Sequence, residues 1–157
     1  MTTEELRIKI PSLHPSVSFE ESSDPKPADW LYINVEPADW LPFARLLKND
    51  PSLNFDYLFC LTCIDWKTHL TMVYNLESTT FRHIVVVRSK LQREHPEIES
   101  VADVWRTAEF HEREVYEMFG VNFLNHPDLR LLILPDGWEG KNPMRKDYED
   151  PVNMIKL

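Results

Sequence analysis

The sequence predicts an α+β domain that carries an extended C-terminal arm, and three observations predict it. Three strand-like apolar runs follow one another across short connections between Phe55 and Val87, the pattern of an antiparallel meander. Apolar residues recur at helical spacing on both sides of that meander. Beyond Gly120 apolar residues persist but follow neither period.

Taken in order, Met1 to Leu13 suits a short helix and Val17 to Glu21 a first strand, followed by a polar, proline-bearing loop from Ser22 to Asp29. Trp30 to Val35 alternates, with Leu31, Ile33 and Val35 on one face. Pro37 then stands where a first helical turn tolerates proline, and Trp40, Leu41, Ala44 and Leu47 form a helical stripe. Phe55 to Trp66 is apolar on both faces, which predicts a strand in the middle of the sheet. Leu70 to Leu76 and Phe81 to Val87 supply the next two strands, the last rich in β-branched residues. From Ser100, a suitable N-cap with Asp103 three residues on, the residues Val104, Ala108, Val115 and Phe119 predict a helix interrupted near Thr107, with Gly120 as its C-cap.

The rest is different in kind. All three glycines and four of the twelve prolines fall at or after Gly120, so regular structure is not expected to continue. Yet Phe123, Leu129, Leu131 to Leu134, Trp138, Met144 and Tyr148 make this segment too apolar for a disordered tail. The expected organisation is a sheet domain over residues 1–123 and a docking arm over 124–157 within the same folding unit, its greasy side chains buried against this domain or another chain.

Composition narrows the function. A chain of 157 residues is one domain's worth, and 43% hydrophobic with 27% charged residues is ordinary globular composition. A net charge of −9 repels nucleic acid and anionic lipid, and no basic cluster opposes it. No apolar run approaches the ~18 residues of a membrane span, so any membrane association is expected to come through partners. The first residues carry acids and no apolar h-region, which predicts a cytosolic compartment.

The two cysteines form Cys60-Leu-Thr-Cys63, a C-x-x-C spacing shared by redox sites and half zinc sites. Here they lie mid-strand, where positions i and i+3 face opposite ways, so both are expected to be buried, reduced and unbonded. His111-Glu112 begins like a zinc helix, but Val115 occupies the second ligand position. There is no phosphate-binding glycine loop, and an iron-sulfur centre needs about four cysteines. No flavin, cluster or metal site is expected in this chain. Glu109, Arg113 and Glu117, spaced by four, predict a solvated charge ladder on a helix face, worth a few tenths of a kcal/mol per pair.

The densest motif runs Glu112-Arg113-Glu114-Val-Tyr-Glu117-Met-Phe119-Gly120-Val-Asn-Phe123, then His126-Pro127-Asp128-Leu129-Arg130, then Leu134-Pro135-Asp136-Gly-Trp138-Glu139-Gly140 and Pro143-Met-Arg145-Lys146-Asp147-Tyr148. In order and spacing it closely resembles the 30-kDa subunit family of respiratory complex I, the proton-pumping NADH:quinone oxidoreductase. Leu61-Thr62 and Asp65-Trp66 upstream also look like that family. Three departures are visible: Asn125 stands where the family has glycine, Leu131 where it has a second arginine, and Lys141-Asn142 precede Pro143. Asparagine takes a left-handed backbone at modest cost, so the turn at Asn125 is expected to survive.

The resemblance implies a mixed β-sheet covered by helices and a subunit without catalytic residues. It would hold the quinone-site (D) subunit and other hydrophilic subunits in register, at the cytoplasmic face of the inner membrane. FMN, iron-sulfur clusters and quinone would sit in those partners. The residues expected at the partner interface are Glu112, Arg113, Glu114, His126, Asp128, Arg130, Trp138, Arg145, Lys146 and Asp147, with the arginines on carboxylates and Trp138 as a buried anchor. In the isolated chain the arm is expected to fold back, to self-associate with another copy, or to be the most mobile region. The alternatives are the equivalent subunit of a membrane-bound hydrogenase or of a ferredoxin- or F420-linked complex, and, in a different class, a small C-x-x-C redox or zinc protein or a generic interaction module.

Overall fold

Burial largely alternates along the three inner strands of a five-stranded sheet, and that alternation sets the architecture. The computed structural model describes residues 3–19, 30–150 and 152. Helix α1 (Thr3–Leu13) leads into β1 (Ser18–Phe19) and β2 (Trp30–Asn34). A 3-10 turn at Pro37–Asp39 opens α2 (Trp40–Asn49), and the meander follows as β3 (Tyr57–Asp65), β4 (His69–Glu77) and β5 (Ile84–Gln92). The chain continues through β6 (Glu97–Glu99), α3 (Ala108–Phe119) and β7 (Asn122–Leu124). The expected loop from Ser22 to Asp29 lies outside the described residues, as does the end of the strand expected to reach Glu21.

The sheet order is β1-β2-β5-β4-β3, antiparallel throughout except for the parallel β2–β5 pair. The sheet is therefore mixed and the fold α+β. One face is the core. Leu31, Ile33, Val85, Val87, Leu70, Met72, Tyr74 and Leu76 bury there beneath Leu6 and Ile10 of α1, Trp40, Phe43 and Leu47 of α2, and Ala108, Val115 and Phe119 of α3. Trp40 anchors the centre, its ring 4.3 Å from Tyr74 and stacked 6.2 Å from Trp105. Trp105 in turn donates its indole N–H to the Phe55 carbonyl at 2.8 Å. The opposite face carries Tyr32, Arg88, Thr62 and Ile64 outside the core cluster.

Three expectations are corrected. First, β3 is an edge strand rather than the central one, a place that β5 takes. Its two apolar faces have separate causes. Leu58, Leu61 and Cys63 bury in the core, whereas Phe59 crosses the open face to meet Trp30 edge to face at 6.2 Å. A register shift between Leu58 and Cys60 puts Leu58 and Leu61 on the same side. Second, the helix starts at Ala108 and not at Ser100. Residues 101–107 are turns and irregular chain, and the Ser100 hydroxyl, which donates to Glu112 and accepts the Ala102 N–H at 3.2 Å, caps a turn rather than a helix. Third, regular structure continues past Gly120. Strand β7 pairs in parallel with β6, matching Glu97 to Asn122 and Glu99 to Leu124. Gly120 itself caps α3 in the left-handed region at φ 74°.

The cysteines face opposite ways, as the strand period requires: Cys63 is buried and Cys60 only half-buried, so burial of both is corrected. Neither is in a disulfide. Burial pushes the Cys63 thiol up to about 12, with Asp65 adding to the effect.

Candidate docking site: the third helix and the folded-back arm

Helix α3 buries three charged side chains, Glu112, Arg113 and Glu117, within a few percent of complete burial. Buried charges are tolerated only when paired or fully hydrogen-bonded, so each must have a dedicated partner. For Glu117 that partner is the backbone of the arm, and for Arg113 it is the same backbone together with the Asp128 carboxylate, 3.8 Å from Nη1. Arg113 donates from Nε to the Arg130 carbonyl at 3.1 Å and from Nη2 to the Leu131 carbonyl at 2.7 Å. The Glu117 carboxylate accepts the backbone N–H groups of Leu132, Ile133 and Leu134 at 2.8, 2.9 and 3.1 Å. Further on, the Met144 N–H donates to the Met118 carbonyl at 3.1 Å, and Arg145 Nε donates to the Phe119 carbonyl at 2.7 Å.

These contacts progress together along both segments, so the arm runs beside α3 in the same direction. The expected ladder is therefore corrected: Arg113 and Glu117 hold an irregular strand that cannot satisfy its own backbone. The helix spacing that looked like solvated ion pairing instead places both side chains on the arm-facing side.

Glu112 occupies the junction. Its carboxylate accepts the Ser100 hydroxyl at 2.6 Å and the Val101 N–H at 2.8 Å, tying the segment after β6 to α3. Burial pushes its pKa up to about 7 against those two hydrogen bonds. His126 lies 3.7 Å away, its side chain also fully enclosed. The Asp128 N–H donates to His126 Nδ1 at 3.0 Å, so Nε2 carries the hydrogen, which it donates to the Glu109 carbonyl at 3.0 Å. Just before it, Asn125 takes the left-handed conformation at φ 59°, so the turn survives without glycine.

The far end of the arm is fixed by Asp65, the last residue of β3. Arg93 grips its carboxylate with two nearly parallel bonds, Nε to Oδ1 at 3.1 Å and Nη2 to Oδ2 at 2.9 Å. The backbone N–H groups of Lys67 and Lys146 complete the shell at 2.7 and 2.9 Å. Hydrogen bonding to Arg93, outweighing burial, holds the Asp65 carboxyl well below the usual carboxylate range. Arg93 also pairs with Asp147 of the arm at 2.6 Å, which lowers the Asp147 pKa as well.

The expected interface residues thus divide. Glu112, Arg113 and His126 lie inside the chain. Arg145 binds a carbonyl rather than a carboxylate, and Lys146 reaches Asp65 through its backbone while its ammonium lies 5.9 Å over Trp66. Arg130 pairs with neighbouring Asp128 at 2.9 Å through a single nitrogen. Trp138 is half-buried with Lys141 4.2 Å over its ring, and Glu114, Lys146 and Asp147 are exposed. The Asp65–Arg93 clamp has no local signature because its partners are far apart in the chain. Only the Asp65-Trp66 pair pointed toward it.

Four large apolar side chains of this unit are exposed: Phe110 on α3 and Leu132, Ile133 and Met144 on the arm, Ile133 at 62%. Among the described residues no cluster of three or more His, Cys, Asp or Glu side chains has metal-holding geometry. No described helix is long and apolar enough to cross a membrane.

Comparison with known proteins gives this arrangement its context. The NADH-quinone oxidoreductase C subunit of Chloroherpeton thalassium is 41% identical over 121 residues, covering 75% of this chain and 50% of that protein. The NADH-quinone oxidoreductase C/D subunit of Phocaeicola vulgatus is 44% identical over 123 residues, covering 77% and 23%. The chain therefore spans half or less of these two relatives. The F(420)H(2) dehydrogenase C subunit of Methanosarcina mazei is 42% identical over 100 residues, covering 62% and 63%. Among solved structures, a chain of the membrane-bound sulfane sulfur reductase, an archaeal respiratory membrane complex, superposes with a TM-score of 0.79 at 26% identity, covering 93% and 85%. The family described as "Respiratory-chain NADH dehydrogenase, 30 Kd subunit" matches residues 33–152, which include most of the sheet, α3 and nearly all of the arm. This chain belongs to the family of the respiratory-chain NADH dehydrogenase 30 Kd subunit.

Proposed function

We propose that this chain is a non-catalytic scaffold subunit in the peripheral arm of a proton-translocating NADH:quinone oxidoreductase, where it docks the quinone-site (D) subunit. The observation that carries this reading is the strapped arm. Arg113, Glu117 and Asp65 fix an irregular segment whose side chains Ile133, Met144 and Leu132 remain open to solvent. An apolar surface held rigid by buried charges is preorganised for a partner. The C/D relative, whose name joins the two subunits in one polypeptide, supports the D subunit as that partner. In this reading FMN, iron-sulfur clusters and quinone belong to partner subunits, and the chain sits at the cytoplasmic face of the membrane through them. Of the expected interface residues, Glu114, Asp128, Arg130, Trp138, Lys146 and Asp147 would rim the contact, and the isolated chain would self-associate through the same patch.

Removing the arm would also strip Arg113 and Glu117 of partners, so the test uses surface substitutions. Ile133→Glu with Met144→Glu should weaken copurification with the quinone-site subunit at least tenfold, while Arg45→Glu on α2 leaves it unchanged. Unchanged binding in the double variant would place the interface elsewhere.

The Methanosarcina relative and the archaeal structure favour a second reading, the equivalent subunit of a complex with a different electron donor. The donor is set by other chains. The genes flanking this one distinguish the two readings.

A further inference from the structure

The junction between α3 and the start of the arm holds a pair of groups that the straps do not use. Glu112 of α3 and His126 of the arm both have side chains closed to solvent, with Nε2 of the ring 3.7 Å from Glu112 Oε2. That separation is too long for a hydrogen bond, and the ring N–H goes to the Glu109 carbonyl at 3.0 Å instead. One N–H therefore stands between two acceptors, a carbonyl and a carboxyl. The charge on the carboxyl decides which is the stronger.

We propose that Glu112 and His126 form a proton-operated switch for the first turn of the arm. With Glu112 protonated the ring N–H holds the Glu109 carbonyl and the turn is closed; with Glu112 ionised the N–H swings to the carboxylate and the turn loosens.

The surroundings favour the protonated state. Both hydrogen bonds to the carboxyl come from neutral donors, the Ser100 hydroxyl and the Val101 N–H, which offset only part of the cost of a fully buried charge. The neighbouring titratable groups do not make up the difference. From the turns before α3, Asp103 adds negative charge. From β4, Tyr74 faces the carboxyl with a phenol kept protonated first by burial and then by Glu112 itself. On α3, Arg113 is committed to Asp128 and to the carbonyls of Arg130 and Leu131, while Glu109 contributes its carbonyl to His126. Burial accordingly pushes the Glu112 pKa up to about 7, so the proton is exchanged with solvent near neutrality.

The consequence reaches the arm through the other ring nitrogen. His126 Nδ1 accepts the Asp128 N–H at 3.0 Å, and the Asp128 carboxylate meets Arg113 at 3.8 Å and Arg130 at 2.9 Å. Turning the ring toward Glu112 draws Nδ1 off the Asp128 N–H and loosens the turn that presents the two carbonyls to Arg113. Glu117 and Asp65 hold later residues, 132–134 and 146, so the release is confined to the start of the arm.

The test follows the full chain by NMR across pH. The His126 ring nitrogens and the Asp128 amide should titrate together, with a midpoint at about 7. With the intrinsic pH dependence removed, amide exchange over residues 126–131, relative to residues 144–147, should be at least about tenfold faster at about pH 8 than at about pH 5. Glu112→Gln should hold the closed state and remove the titration. Ser100→Ala takes away a bond that lowers the Glu112 pKa and should move the midpoint to higher pH, a reading that stands even where Glu112→Gln does not fold. Ring and Asp128 signals that ignore pH near the midpoint would overturn the proposal. So would a titration that persists in Glu112→Gln, a midpoint unmoved in Ser100→Ala, or equal acceleration of the two arm segments.

Discussion

Replacing Glu117 by glutamine should release the arm from α3. The carboxylate receives three consecutive backbone N–H groups, from Leu132, Ile133 and Leu134, at distances between 2.8 and 3.1 Å, and it is almost wholly buried. Net hydrogen bonds to a charged group contribute about 1.5–3 kcal/mol each. Glutamine keeps one acceptor oxygen, loses the charge, and turns an NH₂ donor toward donors. The loss should therefore be about 3 kcal/mol, equivalent to two of these bonds weakened or removed. Because the lost contacts belong to the arm, opening there should become about 100-fold more frequent. Hydrogen exchange read by mass spectrometry would show this as faster exchange over residues 128–136. The exposed side of α2, around Arg45 and Leu46, opens locally without the arm and should be unchanged. Unaltered exchange over 128–136 would refute Glu117 as the latch. An equal rise in α2 would mean that the substitution loosens the whole domain.

Other expectations follow from the same structure. Glu112 has a folded pKa of about 7 against an ordinary 4.5, so the folded state holds the extra proton between those values and stability falls as pH rises through that window. At about 1.4 kcal/mol per pH unit the cost reaches roughly 3 kcal/mol above neutrality. Glu112→Gln should abolish this slope in urea denaturation between pH 4.5 and 7, and a variant that keeps it would rule out the assignment. Asp65 has the opposite sign: its pKa is lowered by Arg93, so its stabilisation is present above about pH 4 and is lost as pH falls through the folded value. Arg93→Leu leaves that carboxylate with two backbone donors and should lower the urea midpoint at about pH 7, with Arg93→Lys intermediate because lysine cannot bond bidentately; an unchanged midpoint would refute the clamp. In the native protein a thiol reagent should label Cys60 quickly and Cys63 only after denaturation, since Cys63 is buried with its thiol pushed up to about 12. Two fast-reacting thiols would contradict the placement of β3.

Elements with a local signal could be read from the residues alone. The alternation in Trp30 to Val35, the three runs of the meander, the stripe of α2 and the cap at Gly120 all come from the period at which a strand or helix turns its side chains, and each was legible in a few residues. The family was legible too, because its motif is dense between Glu112 and Tyr148. Which strand is central required the packed fold, since apolarity on both faces of Phe55 to Trp66 reads the same whether neighbours or crossing aromatics cover it. So did the roles of the charges. Nothing in the spacing of Arg113 and Glu117 distinguishes a solvated ladder from side chains buried against the arm, because that depends on segments 15 to 18 residues away. The Asp65–Arg93 clamp joins residues 28 apart and then recruits Lys146, 81 residues from Asp65. Hydrogen bonds of that range are set by how the sheet and α3 bring distant backbone together, and no local pattern records them.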